Sequence, residues 1–136
     1  MRKALLQAQH ALDKGDIPVG AVLVAPDVIL AETHNPTELR KDLTAHAEML
    51  ALSAGTQALG SKYLNQATLY ITLSPCVMCA GACFWSKIGT LVYAATDVKT
   101  PPAELKKILH PKTSVIEGVL AEESQKLLRE FFQKKR

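Results

Sequence analysis

Two short strings 30 residues apart restrict the fold of this chain more than anything else in it: Thr44-Ala-His-Ala-Glu48 and Ser74-Pro-Cys-Val-Met-Cys79. They offer one imidazole (His46), one carboxylate two residues on (Glu48), and two thiols at C-x-x-C spacing (Cys76 and Cys79). Nitrogen and thiolate donors suit Zn²⁺, and a catalytic zinc site typically takes three protein ligands and keeps a fourth position for water. His46, Cys76 and Cys79 are the three candidate ligands. Glu48 is left to carry protons to and from the water. This arrangement points to hydrolytic deamination.

The spacing also says how the backbone must run. Ser74 followed by Pro75 reads as a helix start, with a hydroxyl at the N-cap and proline at the first helical position. Cys76 and Cys79 then share one face of the first turn, where the helix dipole favours thiolates. Thr44 reads as a similar cap ahead of His46, although Glu48 falls one residue late for a capping box. On a regular helix His46 and Glu48 point about 200° apart. They serve one metal only if it lies off the N-terminal end, so the motif requires two helix N-termini aimed at one ion.

Other chemistries fit parts of the pattern. A redox-active C-x-x-C wants a thioredoxin-like context and leaves His46 and Glu48 without a role. A structural zinc normally has four ligands, and Cys83 is the remaining thiol. Cys83 would sit a full turn deeper in the helix, among Ala80, Gly81, Ala82 and Phe84, where a buried cysteine behaves as a small apolar residue.

With 136 residues and 48% hydrophobic content the chain is expected to form one domain over residues 1–136, large enough for a proper core. No apolar run approaches a membrane span, and Met1-Arg2-Lys3 leads into a mixed stretch rather than a signal core. Three cysteines, two of them committed to metal, argue against a disulfide scaffold and for the cytoplasm. Charge is uneven. Residues 1–98 hold seven Lys/Arg against eight Asp/Glu, whereas residues 99–136 hold nine against five. The basic end includes Lys99, Lys106, Lys107, Lys112, Arg129, Lys134, Lys135 and Arg136. A solvated helix face would carry the same charges; beside a base-modifying site they also suit a nucleic-acid backbone.

Periodicity gives alternating helices and strands. Residues 2–14 read as an amphipathic helix with Ala4, Leu5, Ala8, Ala11 and Leu12 on one stripe, ended by Gly15. Gly20 to Val24 and Val28 to Ala31 form a hairpin turned at Pro26-Asp27. A helix from Thr44 to about Ala54 carries His46 and Glu48. Residues 68–73 form a buried strand feeding the cysteine helix, residues 75–86. Leu91 to Ala95 is the next strand, Ala103 to Leu109 a short helix, Ser114 to Glu117 a last strand, and Ala121 to Lys134 the closing helix. Such alternation predicts an α/β fold: a five-stranded mixed sheet in a three-layer α/β/α sandwich, with both metal-binding helices starting at one end of the sheet.

Longer strings strengthen the reading. Residues 16–24 (Asp-Ile-Pro-Val-Gly-Ala-Val-Leu-Val), 44–49, 68–82 and 117–123 resemble the bacterial tRNA-specific adenosine deaminases, zinc enzymes of the cytidine-deaminase-like fold. The H-x-E and P-C-x-x-C pair is the zinc-deaminase signature. The resemblance implies a homodimer that converts the wobble adenosine of a tRNA anticodon stem-loop to inosine. It further implies that Asn35 hydrogen-bonds the flipped nucleotide, that Asp97 and Lys99 lie along the nucleic acid, and that Ile17 and Val19 wall the pocket. Phe131-Phe132 resembles an aromatic pair near the bound loop, although a helix must also bury one face. Asn35 before Pro36 also suits a plain turn.

Three stretches depart from that family. Ser74 stands where the adenosine branch usually has glutamate, Phe84-Trp85-Ser86 is similar to an aromatic-Trp pair of guanine deaminases, and Thr100 to Leu105 replaces a glycine-containing loop. The alternative activity is therefore a deaminase of free bases or nucleosides such as guanine or cytosine. A cytidine deaminase acting on polynucleotides and a non-catalytic zinc-stabilised binding module are the other readings.

Overall fold

The computed structural model describes residues 1–36 and 41–134. Helix α1 (Arg2–Asp13) presses its Ala4, Ala8 and Ala11 face onto the sheet, all three fully buried. Only small side chains permit so close an approach. At Gly20 an added Cβ would collide with the Ala4 carbonyl oxygen. Strands β1 (Gly20–Ala25) and β2 (Val28–His34) form the expected antiparallel hairpin. β2 runs on past Ala31 to His34, pairing Gly20 with His34 and Ala21 with Thr33. Its polar end, Glu32-Thr33-His34, is tolerated because β2 is an edge strand.

Helix α2 (Ala47–Leu59) is followed by β3 (Thr68–Leu73), α3 (Val77–Ser86), β4 (Thr90–Ala95), α4 (Pro102–Ile108), β5 (Ser114–Ile116) and α5 (Ala121–Lys134). Gly60, in the left-handed conformation at φ 63°, ends α2 five residues beyond the expected Ala54. The sheet order is β2-β1-β3-β4-β5, with β1 antiparallel to both neighbours and β3, β4 and β5 mutually parallel. The mixed five-stranded sheet of the sequence reading is therefore observed. Helices α1 and α5 pack on one another and on the sheet, while α2, α3 and α4 pack in series in the other layer. The core between sheet and second layer joins Ala21, Leu23, Leu69, Ile71, Leu91 and Tyr93 to Ala51, Leu52, Ala80 and Cys83.

Since β1 is antiparallel to both β2 and β3, strands β2, β3 and β4 all run the same way. Their C-terminal ends share one edge of the sheet, and the starts of α2 and α3 follow there, as in other open α/β sheets that carry a site.

Both expected helix caps are corrected. α3 begins at Val77 with Cys76 as its N-cap, so Ser74 does not cap it and Pro75 is not its first residue. The cause is the sheet: the Ser74 N–H still donates to Ala95 O at 2.8 Å, prolonging the β3–β4 ladder and keeping the chain extended. α2 begins at Ala47 with His46 as its N-cap. Thr44 is turned away because its N–H and hydroxyl both donate to Asp42 Oδ1, at 2.9 and 2.8 Å.

Candidate active site

His46 and Cys76 occupy the same position on two helices. Each is an N-cap in extended conformation (φ −78°, ψ 151° and φ −69°, ψ 174°) and neither helix is capped by that side chain. Local bonds fix both. Thr33 Oγ1 donates to Ala47 O at 2.7 Å, tying the start of α2 to β2. Cys76 O accepts the Ala80 N–H at 2.8 Å, the first helical bond of α3. His46 Nδ1 consequently faces both thiols, 3.7 Å from Cys76 Sγ and 3.5 Å from Cys79 Sγ. The three donor atoms lie within 4.8 Å of one another, a group that could hold a metal ion. The expected convergence of two helix N-termini is present.

Electrostatics favour negative sulfur here. The Cys76 thiol is pulled down to about 5, first by its bond with Cys79 and then by the backbone amides of Cys79 and Met78 and by His46, against the opposing effect of burial. Cys79 is held high, because its partner sulfur, burial and the Glu48 charge all oppose a second anion. The pair gives up its first proton readily and resists losing the second unless a cation arrives.

Glu48 stands at the second position of α2, 4% exposed. Burial raises its pKa, opposed by its own backbone N–H and by His46. Among the described residues, its Oε1 is the buried side-chain oxygen that has no hydrogen-bond partner. Leaving such an atom unpaired is unfavourable, and it marks the position as one that receives something from the cleft.

That cleft, about 260 Å³, is lined by Ile17, Val19, Asn35, His46, Glu48, Leu73, Ser74, Cys76, Asp97 and Lys99. Ile17, Val19, Asn35, Asp97 and Lys99, which the resemblance assigns to the pocket or the nucleic-acid path, are therefore all on its wall. Asn35 is buried and continues the hairpin, its N–H donating to Val19 O at 3.0 Å. The Ile17 N–H donates to the Asp16 carboxylate at 2.8 Å. Asp97 Oδ1 accepts the Lys99 N–H at 2.9 Å, forming the turn beyond β4. Two wall residues had been assigned no substrate contact, Leu73 and Ser74. Leu73 was marked in the sequence only by its place at the end of the strand, whereas Ser74 stood out as a departure from the family pattern.

The whole of the chain, residues 1–136, matches the MafB19-like deaminase family model. The chain belongs to this deaminase family. It is 44% identical to the tRNA-specific adenosine deaminase of Haemophilus influenzae, over all of this chain and 83% of that protein. It is also 37% identical to the chloroplastic tRNA(adenine(34)) deaminase of Arabidopsis thaliana, but spans only 12% of that protein's length. A solved structure from work on A-to-I editing by tRNA:A34 deaminases at the wobble position of transfer RNA superposes with a TM-score of 0.86. It is 35% identical, with 94% of this chain and 97% of that one covered. The guanine deaminase of Nitrosomonas europaea follows at a TM-score of 0.81 and 26% identity, covering 94% and 80%.

Other residues of this deaminase singled out by sequence fall away from the cleft. Cys83 is fully buried in the core, and burial pushes its thiol up to about 12. Trp85 is 75% exposed and lines a separate groove of about 580 Å³ with Met49, Leu52, Tyr63 and Phe84. Phe131 is buried and Phe132 half-exposed, their rings in edge contact at 5.2 Å. The basic C-terminal end is split between layers, with Lys106 and Lys107 on α4 and Arg129 and Lys134 on α5. Lys107 pairs with Glu104 and Lys134 with Glu130. Lys135 and Arg136 lie outside the described residues.

Proposed function

We propose that this chain is a zinc-dependent hydrolase that converts the wobble adenosine of a tRNA anticodon loop to inosine. The observation that carries the reading is the meeting of His46, Cys76 and Cys79 with the unpartnered Glu48 Oε1 in a cleft that Asn35, Asp97 and Lys99 also line. Tetrahedral zinc with bonds of about 2.0–2.1 Å to nitrogen and 2.3 Å to sulfur sets those donors about 3.5 Å apart. The distances from His46 Nδ1 to the two sulfurs, 3.5 and 3.7 Å, support that assignment.

Bound zinc would lower the pKa of a coordinated water toward neutrality. Glu48 takes one proton of this water and passes it to N1 of the purine as the oxygen adds to C6. It then moves the second, from the new C6 hydroxyl, to the amine as the C6–N bond breaks. Adenosine and water become inosine and ammonia. Burial of Glu48 supports this role, because it holds the carboxyl above its ordinary range and so strengthens it as a proton acceptor. Asn35 and Ile17 hold the flipped nucleotide, and Asp97 and Lys99 meet the flanking backbone. No helix among the described residues is long and apolar enough to cross a membrane, and the free cysteines suit a reducing cytoplasm. The apolar groove beside Trp85 supports a second copy of the chain as the partner.

The test is incubation with total bacterial tRNA followed by sequencing for A-to-I changes, alongside free guanine and cytosine. Inosine at a wobble position is the expected result. The second reading, a deaminase of free guanine, draws on the likeness to the Nitrosomonas enzyme; turnover of free base with no inosine in tRNA would establish it instead. Trp85 lends that reading little support within one chain, because it lines the other groove.

A further inference from the structure

We propose that Ser74 is a positioning residue whose hydroxyl oxygen holds the Asp97–Lys99 turn against the cysteine-bearing turn and so sets the nucleotide-binding wall. The inference rests on the cleft being the nucleotide site argued above. Ser74 is the first residue beyond β3 and directly precedes Pro75-Cys76. It is 3% exposed, and the bond from its N–H to Ala95 O fixes its backbone in the sheet. From that fixed point Oγ accepts the Asp97 N–H at 2.7 Å, two residues beyond the end of β4.

Asp97 then folds the following chain back on itself. Its Oδ1 accepts the Lys99 N–H at 2.9 Å and its carbonyl accepts the Thr100 N–H at 3.1 Å. Thr100 is buried and anchors the far end, while Val98 between them is 87% exposed. These last two bonds lie within the turn. The Ser74 bond alone of the three reaches across to the β3–α3 connection, where Cys76 follows two residues later. Pro75 has no N–H, and the Ser74 N–H is already given to Ala95. The hydroxyl oxygen is therefore what aligns the wall with the reacting centre. Serine thereby has a role at this position that helix capping does not explain.

Ser74→Ala and Ser74→Thr test the idea through zinc content, exchange of the Asp97 amide by NMR, and steady-state kinetics on tRNA. In Ser74→Ala the Asp97 amide should exchange about tenfold faster and KM for tRNA should rise about tenfold. That change corresponds to about 1.4 kcal/mol, the scale of one hydrogen bond. Zinc content and kcat should stay close to those of the unmodified protein. Ser74→Thr keeps the oxygen and should restore both exchange and KM. Unchanged Asp97 exchange in Ser74→Ala overturns the proposal, as does loss of zinc or a fall in kcat without a change in KM. If the unmodified protein makes no inosine, the reading of the cleft fails, and amide exchange alone decides whether the tether exists.

Discussion

His46 Nδ1 lies 3.5 Å from Cys79 Sγ although 33 residues separate them in the chain. The contact follows from topology. β2 and β3 run the same way, so the helices that follow them start at one edge of the sheet. Both helices leave their N-terminal residue free of a side-chain cap. Helix stability that a serine or aspartate cap would supply, typically about 1 kcal/mol, is set aside in favour of a donor group.

The purified protein should contain about one zinc per chain. A metal present at about 1,000 times its dissociation constant contributes about 4 kcal/mol, on the order of 10–20 °C of melting temperature for a domain of this size. Chelation, Cys76→Ala or Cys79→Ala should each remove both the metal and that increment. Cys83→Ala should keep the zinc, since Cys83 lies in the core. Elemental analysis with thermal denaturation checks all four, and full occupancy in Cys76→Ala would refute the ligand set.

Glu48→Ala should keep fold and zinc while lowering kcat by about 10²–10⁴-fold, the usual range for losing a positioned acid/base group. Stability should not fall. The substitution removes an unpartnered buried oxygen, and the native state no longer holds a carboxyl whose burial raises its pKa. Activity within a few-fold of the unmodified protein would remove Glu48 from the mechanism.

Most of the fold was legible because its signals are local. The strand at Thr68–Leu73 and the helix at Ala121–Lys134 fall where their periodicity places them. The gathering of His46, Cys76 and Cys79 was legible because H-x-E and P-C-x-x-C leave few other chemistries. The misread positions are those where a long-range bond outweighs a local preference. Ser74-Pro75 has the local signature of a helix start, yet the Ala95 carbonyl across the sheet keeps Ser74 extended. Thr44 could cap a helix, but the Asp42 carboxylate two residues away takes its hydroxyl. β2 was read three residues short because an edge strand tolerates polar residues that a sequence pattern takes for a loop.

Alkaline pH should weaken the fold through Tyr93. Its hydroxyl donates to Glu117 Oε2 at 2.7 Å, and burial, followed by that bond, pushes the phenol up to about 12. The folded protein thus keeps a proton that the unfolded chain releases near pH 10. The contribution is complete below about pH 10 and is lost as pH rises toward 12. Tyr93→Phe should be less stable by about 1 kcal/mol at neutral pH and should show a shallower alkaline decline. Urea denaturation from neutral pH to about pH 11 reads both effects. Parallel declines in the two proteins would exclude Tyr93 as the source.

Substrate choice shows in salt dependence. A free base makes no phosphate contact, so its deamination should respond little to ionic strength. An anticodon loop is held partly through its phosphates, and each cation that contacts one on a single strand adds about 0.7 to the slope of log K against log salt. Lys99 is exposed and lies on the cleft wall, unlike Lys107 and Lys134, which are paired with glutamates on their own helices. Apparent tRNA affinity should therefore fall steeply as salt rises. Lys99→Ala should shallow the slope by about 0.7 and leave zinc unchanged, whereas Lys107→Ala should have little effect. With Asn35 proposed as a contact to the nucleoside rather than to a phosphate, Asn35→Ala should reduce turnover at every salt concentration without altering the slope. A Lys99→Ala enzyme with the slope of the unmodified protein would remove Lys99 from the RNA path.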